Sequence, residues 1–503
     1  MSFVKVLSGG VWGIEGYEVK VEVDVSAGLP SFTIVGLPDS AIKESKERVR
    51  SAIKNSGYSF PQKRITVNLS PSHLKKQGTL YDLPIAIGLL ALGGAVNTDR
   101  LSKFVLMGEL SLNGELRKVS GVLPIVATLY SEGYESFILP VENSTEGAVV
   151  EGAKVFGARS LREVVEFING ARELEPVRMA HHELSSKPAH DIDVSDIIGQ
   201  GLAKKALEIC AAGAHNLSMV GPPGSGKSML AKRVVTILPP LSFEEALEVN
   251  RIYSVAGLLD SFVTSRPFRS PHHTASEVAL IGGGSVPRPG EVSLAHKGVL
   301  FLDELPEFSR KALEVLRQPL EDGYINISRA QGRVRFPAEF TLITAQNPCP
   351  CGNYGNPYKE CVCSPRQIKA YSSKVSQPIK DRIDLKVWMD PVDRDELVKN
   401  TKGETSQEVR NRVITAYSIQ MERLGKLNGR MNNKEVEKFC INRMSTEAKR
   451  LLKSAVNNLK LSARAYFKVL KVSRTVADLE QEDTIRPHHV AQALQFRTED
   501  KLE

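Results

Sequence analysis

Apolar positions along this chain fall into short runs separated by polar stretches, and the period of those runs changes along the sequence. In residues 1–170, apolar runs at 19–25, 32–35, 65–69 and 137–139 predict strands, and helical spacing at 39–55 and 83–92 predicts helices. This mixture predicts an α/β or α+β domain. Residues 173–193 lose the periodicity and gather prolines, histidines and serines, which reads as a linker. Past the linker, apolar strands at 217–220, 298–302 and 340–345 and a helix at 229–238 mark a second domain. From about residue 394 the spacing becomes i, i+3, i+4, clearest around 436–439 and 461–479, and predicts helices to the end. The predicted units are 1–170, a linker at 171–193, a core at 194–392 and a helical domain at 393–503. No internal repeat is visible.

Composition narrows the class. The 503 residues are 42% hydrophobic and 25% charged, as in ordinary globular proteins, which argues against disorder. No apolar run approaches the roughly 20 residues that span a bilayer. The start, Met1-Ser2-Phe3-Val4, runs directly into strand-like alternation with no signal peptide, so a cytoplasmic location is expected. A net charge of +8 is modest for this length and points toward a polyanionic partner without proving one.

The apolar run at 217–220 leads into Gly221, Pro222, Pro223, Gly224, Ser225, Gly226, Lys227 and Ser228, a Walker A sequence between strand and helix. Its glycines let the backbone wrap phosphates, the helix start offers unpaired N–H groups, Lys227 neutralises phosphate oxygens, and Ser228 can ligate Mg²⁺. The strand at 298–302 ends in Asp303 and Glu304, a Walker B pattern: Asp303 holds the Mg²⁺ shell and Glu304 polarises the attacking water. A further strand ends in Gln346 and Asn347, placing Asn347 beside the γ-phosphate as a sensor if these strands are neighbours. ATP and Mg²⁺ are the implied cofactors. The set resembles the AAA+ class of P-loop ATPases, which act as rings.

Residues 325–337 alternate about Gln331-Gly332 and predict a hairpin carrying Arg329, Arg333 and Arg335 with no acid. These arginines are candidate DNA phosphate contacts, the other reading being ordinary solvated arginines. The glycine-rich stretch 282–290 is either a second such element or a plain connection. His272 and His273 are expected to be structural, because the hydrolysis chemistry does not require them. Cys349, Cys351, Cys361 and Cys363 form two C-x-C pairs that can close on one tetrahedral Zn²⁺, although the spacing is tighter than a C-x₂-C knuckle. Reduced thiols packing the loop are the alternative. Cys210 and Cys440 lie in helical patterns and read as small buried hydrophobes.

Longer strings carry a closer resemblance. Residues 25–39 (VSAGLPSFTIVGLPD), 76–86 (KQGTLYDLPIA), 268–274 (FRSPHHT), 347–352 (NPCPCG) and 381–384 (DRID) resemble the ComM/YifB family of magnesium-chelatase-like AAA+ proteins. The likeness extends over essentially the whole chain. It implies a Lon-like, non-proteolytic N-terminal domain, an AAA+ core with a parallel sheet, and a C-terminal helical lid. It further implies an ATP-driven hexameric ring that moves on DNA and drives branch migration of recombination intermediates. Carried over residue by residue, Ile198 and Gly199 would lie near the base and Arg382 would be an arginine finger reaching a neighbour's γ-phosphate. Arg464 would be the second sensor, and the hairpin would face the pore. From the residues alone, the alternative for Arg382 is a salt bridge to Asp381 or Asp384, and for Arg464 a solvated helix face. Two other functions use the same parts. One is a magnesium-chelatase-type subunit driving metal insertion. The other is a Lon-type peptidase, against which stands Leu80 where the serine nucleophile would fall, with Thr79 the hydroxyl nearby.

Overall fold

Strands β1 (Phe3–Trp12) and β2 (Glu15–Ser26) alternate buried valines with polar positions, and they pair antiparallel around Gly13, whose φ of +70° suits a tight turn. The computed structural model describes residues 3–178, 191–284, 286–329, 332–391 and 403–497. With β3 (Ser31–Val35), β4 (Arg64–Ser70), β5 (Phe104–Leu106), β6 (Ser136–Pro140) and β7 (Lys154–Ala158), they form a seven-stranded mixed sheet in the order β3-β4-β2-β1-β5-β6-β7. Helices α1 (Ser40–Asn55), capped by Asp39, and α2 (Asp82–Leu92) occupy the predicted stretches. Helix α3 (Val122–Ser131), which the apolar runs left unassigned, packs against β2. Residues 171–178 stay with this domain, since Val177 bridges to Val155. Residues 179–190 of the predicted linker lie outside the described residues.

The second domain is built on strands buried on both faces, the mark of a parallel sheet covered by helices. Its early elements are α4 (Gly201–Gly213), β8 (Leu217–Val220), α5 (Lys227–Lys232), α6 (Phe243–Ala256) and β9 (Phe268–Arg269). A short ribbon follows, β10 (Gly282–Gly283) with β11 (Arg288–Pro289), then β12 (Val299–Leu302). The hairpin β13 (Tyr324–Arg329) with β14 (Gly332–Pro337) precedes β15 (Thr341–Gln346), and β16 (Leu385–Trp388) completes the sheet. All strands of this sheet run parallel in the order β9-β12-β15-β8-β16. Consequently β15 lies between the strand that feeds the phosphate loop and the strand that ends in Asp303.

Two expectations change in detail. The helix predicted at 229–238 breaks into Lys227–Lys232 and Val234–Ile237 at Arg233, whose guanidinium bonds the Asp193 carbonyl at 2.6 Å and the Asp196 carboxylate at 2.9 Å. In the hairpin, Arg329 pairs with Gly332, so Gly332 belongs to the strand and not to the turn. Residues 330 and 331 lie outside the described residues.

Between β15 and β16 run α7 (Pro365–Ser372) and α8 (Gln377–Lys380). The C-terminal helices are α9 (Ser406–Leu424), α10 (Thr446–Asn458), α11 (Ala463–Leu479) and α12 (Pro487–Gln495). They share one apolar cluster with α4 and the sheet, and they pack beneath the amino ends of the strands. Lys468 of α11 donates to the Ile383 carbonyl at 2.7 Å, Arg430 donates to the Phe340 carbonyl at 2.6 Å, and Lys386 N–H donates to the Phe496 carbonyl at 3.0 Å. The N-terminal domain docks on the core at two places. Lys118 Nζ bonds the Leu259 carbonyl and the Asp260 carboxylate at 2.7 and 2.8 Å, and Gly121 N–H donates to the Ser254 carbonyl at 3.0 Å. At the other, Trp12 and Ile14 pack under the β13-β14 hairpin, where a Cβ on Gly13 would lie 2.7 Å from Val334 Cγ1.

Candidate active site

The phosphate loop leaves the carboxyl end of β8 and turns into α5 through Gly224 and Gly226, whose φ values of +82° and +88° keep both positions to glycine. Lys227 folds back under the loop, donating to the Gly221 carbonyl at 2.7 Å and the Pro222 carbonyl at 2.9 Å. Ser225 Oγ and Asn347 Oδ1 each lie 3.4 Å from its Nζ. Burial pulls this ammonium down to about 8, and the Asp303 carboxylate opposes that shift. A bound phosphate would supply the missing counter-charge.

Ser228 Oγ donates to Asp303 Oδ2 at 2.6 Å, so the hydroxyl and carboxylate suited to one Mg²⁺ already converge, one from the start of α5 and the other from the end of β12. Oxygen donors of this kind suit Mg²⁺, which keeps most of its shell for water and phosphate. Glu304 follows in the left-handed region, φ +52°, where a non-glycine residue carries strain. Its N–H donates to Asp303 Oδ1 at 2.9 Å, and its side chain is half exposed. The strand order sets Asn347 at the tip of β15, between the phosphate loop and Asp303. Near Ile198 and Gly199, Gln200 reaches the loop: its amide donates to the Ser225 carbonyl at 3.4 Å and the Asp390 carbonyl at 2.6 Å.

One residue expected to be structural sits at this site. His273 Nδ1 lies 3.3 Å from the Glu304 carboxylate, with its ring stacked 4.1 Å from that of His272. No spacing in the sequence links residues 273 and 304. They meet because β9 and β12 are neighbours and both loops leave the same sheet edge.

Arg382 lies at the opposite end of the sheet. Its carbonyl accepts from Asn216, the residue before β8, and Asp384 accepts the Asn216 N–H at 3.0 Å. A four-residue strand therefore separates it from its own phosphate loop, on the order of 13 Å at ~3.3 Å per residue. The guanidinium donates to the Pro378 carbonyl at 2.6 Å and pairs with Glu321, so neither Asp381 nor Asp384 is its partner. Asp381 instead takes Arg464 at 3.0 Å, and Asp384 pairs with Lys468 at 3.4 Å. Arg464 is exposed on α11, beside Arg382. Burial, and then the nearby Arg317 and Arg464, depress the Arg382 pKa.

On the hairpin, Val334 and Phe336 are buried while Arg333 and Arg335 are exposed on the other face of the strand. Arg335 stacks 3.5 Å over the Tyr324 ring. Arg329 ends β13, and its side chain lies outside the described residues. In the N-terminal domain, Thr79 Oγ1 bonds Glu109, and Lys76 Nζ donates to the Pro71 and Leu74 carbonyls.

The four thiols of 349–363 converge. Cys349 Sγ lies 3.4 Å from Cys351 and 3.7 Å from Cys361, Cys351 and Cys361 are 3.6 Å apart, and all four sulfurs lie within 4.8 Å of one another. A tetrahedron with Zn–S bonds of ~2.3 Å has edges near ~3.8 Å, so the donor set fits zinc. Tyr354 N–H donates to Cys349 Sγ at 3.4 Å, and the Asn353 N–H holds the Cys351 thiol down to about 6.

Comparison with known proteins bears on the whole chain. Family models match at residues 193–397 (magnesium chelatase, subunit ChlI), 21–143 (subunit ChlI of Mg-chelatase) and 403–497 (magnesium chelatase, subunit ChlI C-terminal). The competence protein ComM of Haemophilus influenzae is 45% identical over 505 residues, covering 99% of this chain and 98% of that protein. YifB of Salmonella typhimurium is 43% identical over 506 residues, covering 100% of this chain and 98% of that protein. The magnesium-chelatase 67 kDa subunit of Chlorobaculum tepidum is 30% identical over 161 residues, which is 31% of this chain and 23% of that protein.

Proposed function

Because the chain belongs to the ComM/YifB family of magnesium-chelatase-like AAA+ ATPases, we propose that it is an ATP-driven ring motor on DNA, built for branch migration of recombination intermediates. The observation that carries this reading is the reach of the likeness: it is end to end with a competence protein but stops at 31% of the chain with a chelatase subunit. The exposed Arg333 and Arg335 support it, since phosphate contacts give sequence-independent binding suited to a moving ring. Metal insertion by a chelatase-type complex is the second reading, favoured by the three family models.

In the proposed cycle, the Gly221–Ser228 loop cradles the phosphates and Lys227 shifts from backbone carbonyls to phosphate oxygens. Ser228 and Asp303 would hold Mg²⁺, which would supply charge neutralisation during phosphoryl transfer. Glu304 orients the attacking water, and Asn347 contacts the γ-phosphate. Arg382, a strand's length from its own loop, serves the neighbour's, and Arg464 beside it is the second sensor, so each complete site needs two chains. The N-terminal domain is a scaffold without peptidase chemistry, because Leu80 offers no nucleophile and Lys76 is bound to carbonyls.

Hydrolysis measured without DNA, and with single strands, duplex or a four-way junction, tests the motor reading. We expect DNA to raise the rate and junctions to be unwound, while unfolded casein added to the same reaction stays intact. A rate indifferent to every DNA would favour the chelatase reading, and casein cleavage lost on Thr79→Val would restore the peptidase.

Zinc is proposed at Cys349, Cys351, Cys361 and Cys363. Metal analysis of protein never exposed to chelator should find one equivalent per chain, and Cys361→Ser with Cys363→Ser should remove it. Wild-type content far below one equivalent would count against the site.

A further inference from the structure

The nucleotide site has a wall that phosphate chemistry does not require. The cysteine loop leaves β15 directly after Gln346, and a Cβ added to Gly352 would lie 2.7 Å from both Cδ and Cγ of Pro223 in the phosphate loop. The same point is 3.9 Å from Asn347 Cγ. A few residues on, a Cβ on Gly355 would meet the Trp388 indole at 2.8 Å. Trp388 ends β16, and β15 and β16 flank β8. The loop therefore spans the carboxyl end of β8 from one neighbouring strand to the other and presses on Pro223 midway. Gly352, at φ +80°, is the residue that permits the close approach.

Among the described residues, the stretch from 349 to 363 contains no helix or strand, and the convergence of its sulfurs ties its two ends together. Cys349 and Cys351 pin the end nearest Asn347. Cys361 and Cys363 pin the end that enters α7, whose N-cap is Ser364. A metal at the four thiols closes these two ends into one rigid unit.

The geometry points to the metal-loaded cysteine loop as a positioning element of the nucleotide site, holding Pro223 and Asn347 in place so that metal occupancy sets the affinity for ATP. This rests on the zinc reading given above. Without the cross-link the loop samples many paths, only a fraction of which seat Gly352 against Pro223. ATP must then select that fraction, and its apparent affinity falls in proportion. Gly352 is a positioning residue, since it touches the phosphate loop and no reacting atom.

The test uses the full-length chain as wild type, Cys361→Ser with Cys363→Ser, and Gly352→Ala. Each is measured for metal content, for binding of a fluorescent ATP analogue with Mg²⁺, and for hydrogen exchange of the amides at 221–228. The double serine variant should lose its metal, bind the analogue about tenfold more weakly and exchange faster at those amides, as expected if competent loops fall to roughly a tenth of the population. Gly352→Ala should keep a full equivalent of metal yet bind about as weakly, because the added methyl pushes on Pro223. Wild type stripped by chelator should weaken likewise and recover on zinc addition, which separates the effect from misfolding. Loss of metal with unchanged affinity and unchanged exchange overturns the coupling and leaves the zinc site standing. A wild-type protein without metal overturns the zinc reading and the proposal with it.

Discussion

Glu304→Gln is expected to bind ATP as tightly as the wild type while hydrolysis falls by roughly two to four orders of magnitude, the usual span for loss of a general base. The amide keeps the size of the carboxylate and leaves the Asp303–Ser228 pair untouched, so nucleotide binding has no reason to change. What disappears is the negative charge that draws a proton from the attacking water. The strained backbone at Glu304, φ +52°, fixes where that charge stands, and the neighbouring His273 at 3.3 Å bounds it on one side. Phosphate release and nucleotide binding measured on one preparation give both halves of the expectation. The variant should also hold an ATP-loaded ring closed on DNA. Hydrolysis at the wild-type rate would remove Glu304 from the mechanism.

Arg382→Ala should lose a factor of about 10³ to 10⁵ in hydrolysis, the range known for an arginine supplied to developing phosphoryl charge. Arg suits this task better than Lys because its planar fork meets two phosphate oxygens at once. Since Arg382 sits at the amino end of β8 and the phosphate loop at the carboxyl end, the loss should be repaired from outside the chain. Mixing Arg382→Ala with Lys227→Ala, each inactive alone, should recover part of the activity, because some interfaces then join an intact arginine to an intact loop. Recovery should peak at intermediate mixing ratios. No recovery at any ratio, in rings shown to contain both chains, would place the arginine's action within its own subunit.

The two sites on which these expectations rest were not equally legible. The phosphate end could be read directly, because Gly221 to Ser228 and Asp303-Glu304 are contiguous motifs whose spacing is set by phosphate geometry, and the strand order then placed Asn347 between them. Arg382 was located by resemblance, but its Glu321 partner was hidden, since no local pattern relates residues 61 apart. The contact of His273 with Glu304 was hidden for the same reason: it depends on which strands are neighbours, a tertiary fact that periodicity cannot carry. The helices at 461–479 were visible as periodic sequence, yet their place beneath the strands' amino ends was not. An amphipathic face announces that it will be buried without naming what it will be buried against. The break at Arg233 was hidden because no glycine or proline marks it in the sequence.

The chain holds two tryptophans, and both stand at junctions described above. Trp12 lies in the N-terminal domain beneath the arginine hairpin, 3.4 Å from the Cβ position of Gly332, and Trp388 backs the cysteine loop at Gly355. Each indole is thus an intrinsic fluorophore for one working part, free of interference from others of its kind. The indole emission of a Trp12→Phe chain comes only from beside the nucleotide pocket, and that of a Trp388→Phe chain only from beside the hairpin. Stopped-flow emission from the two chains, compared after one addition of ATP, would time the motion at the fuel end against the motion at the DNA end without any attached dye.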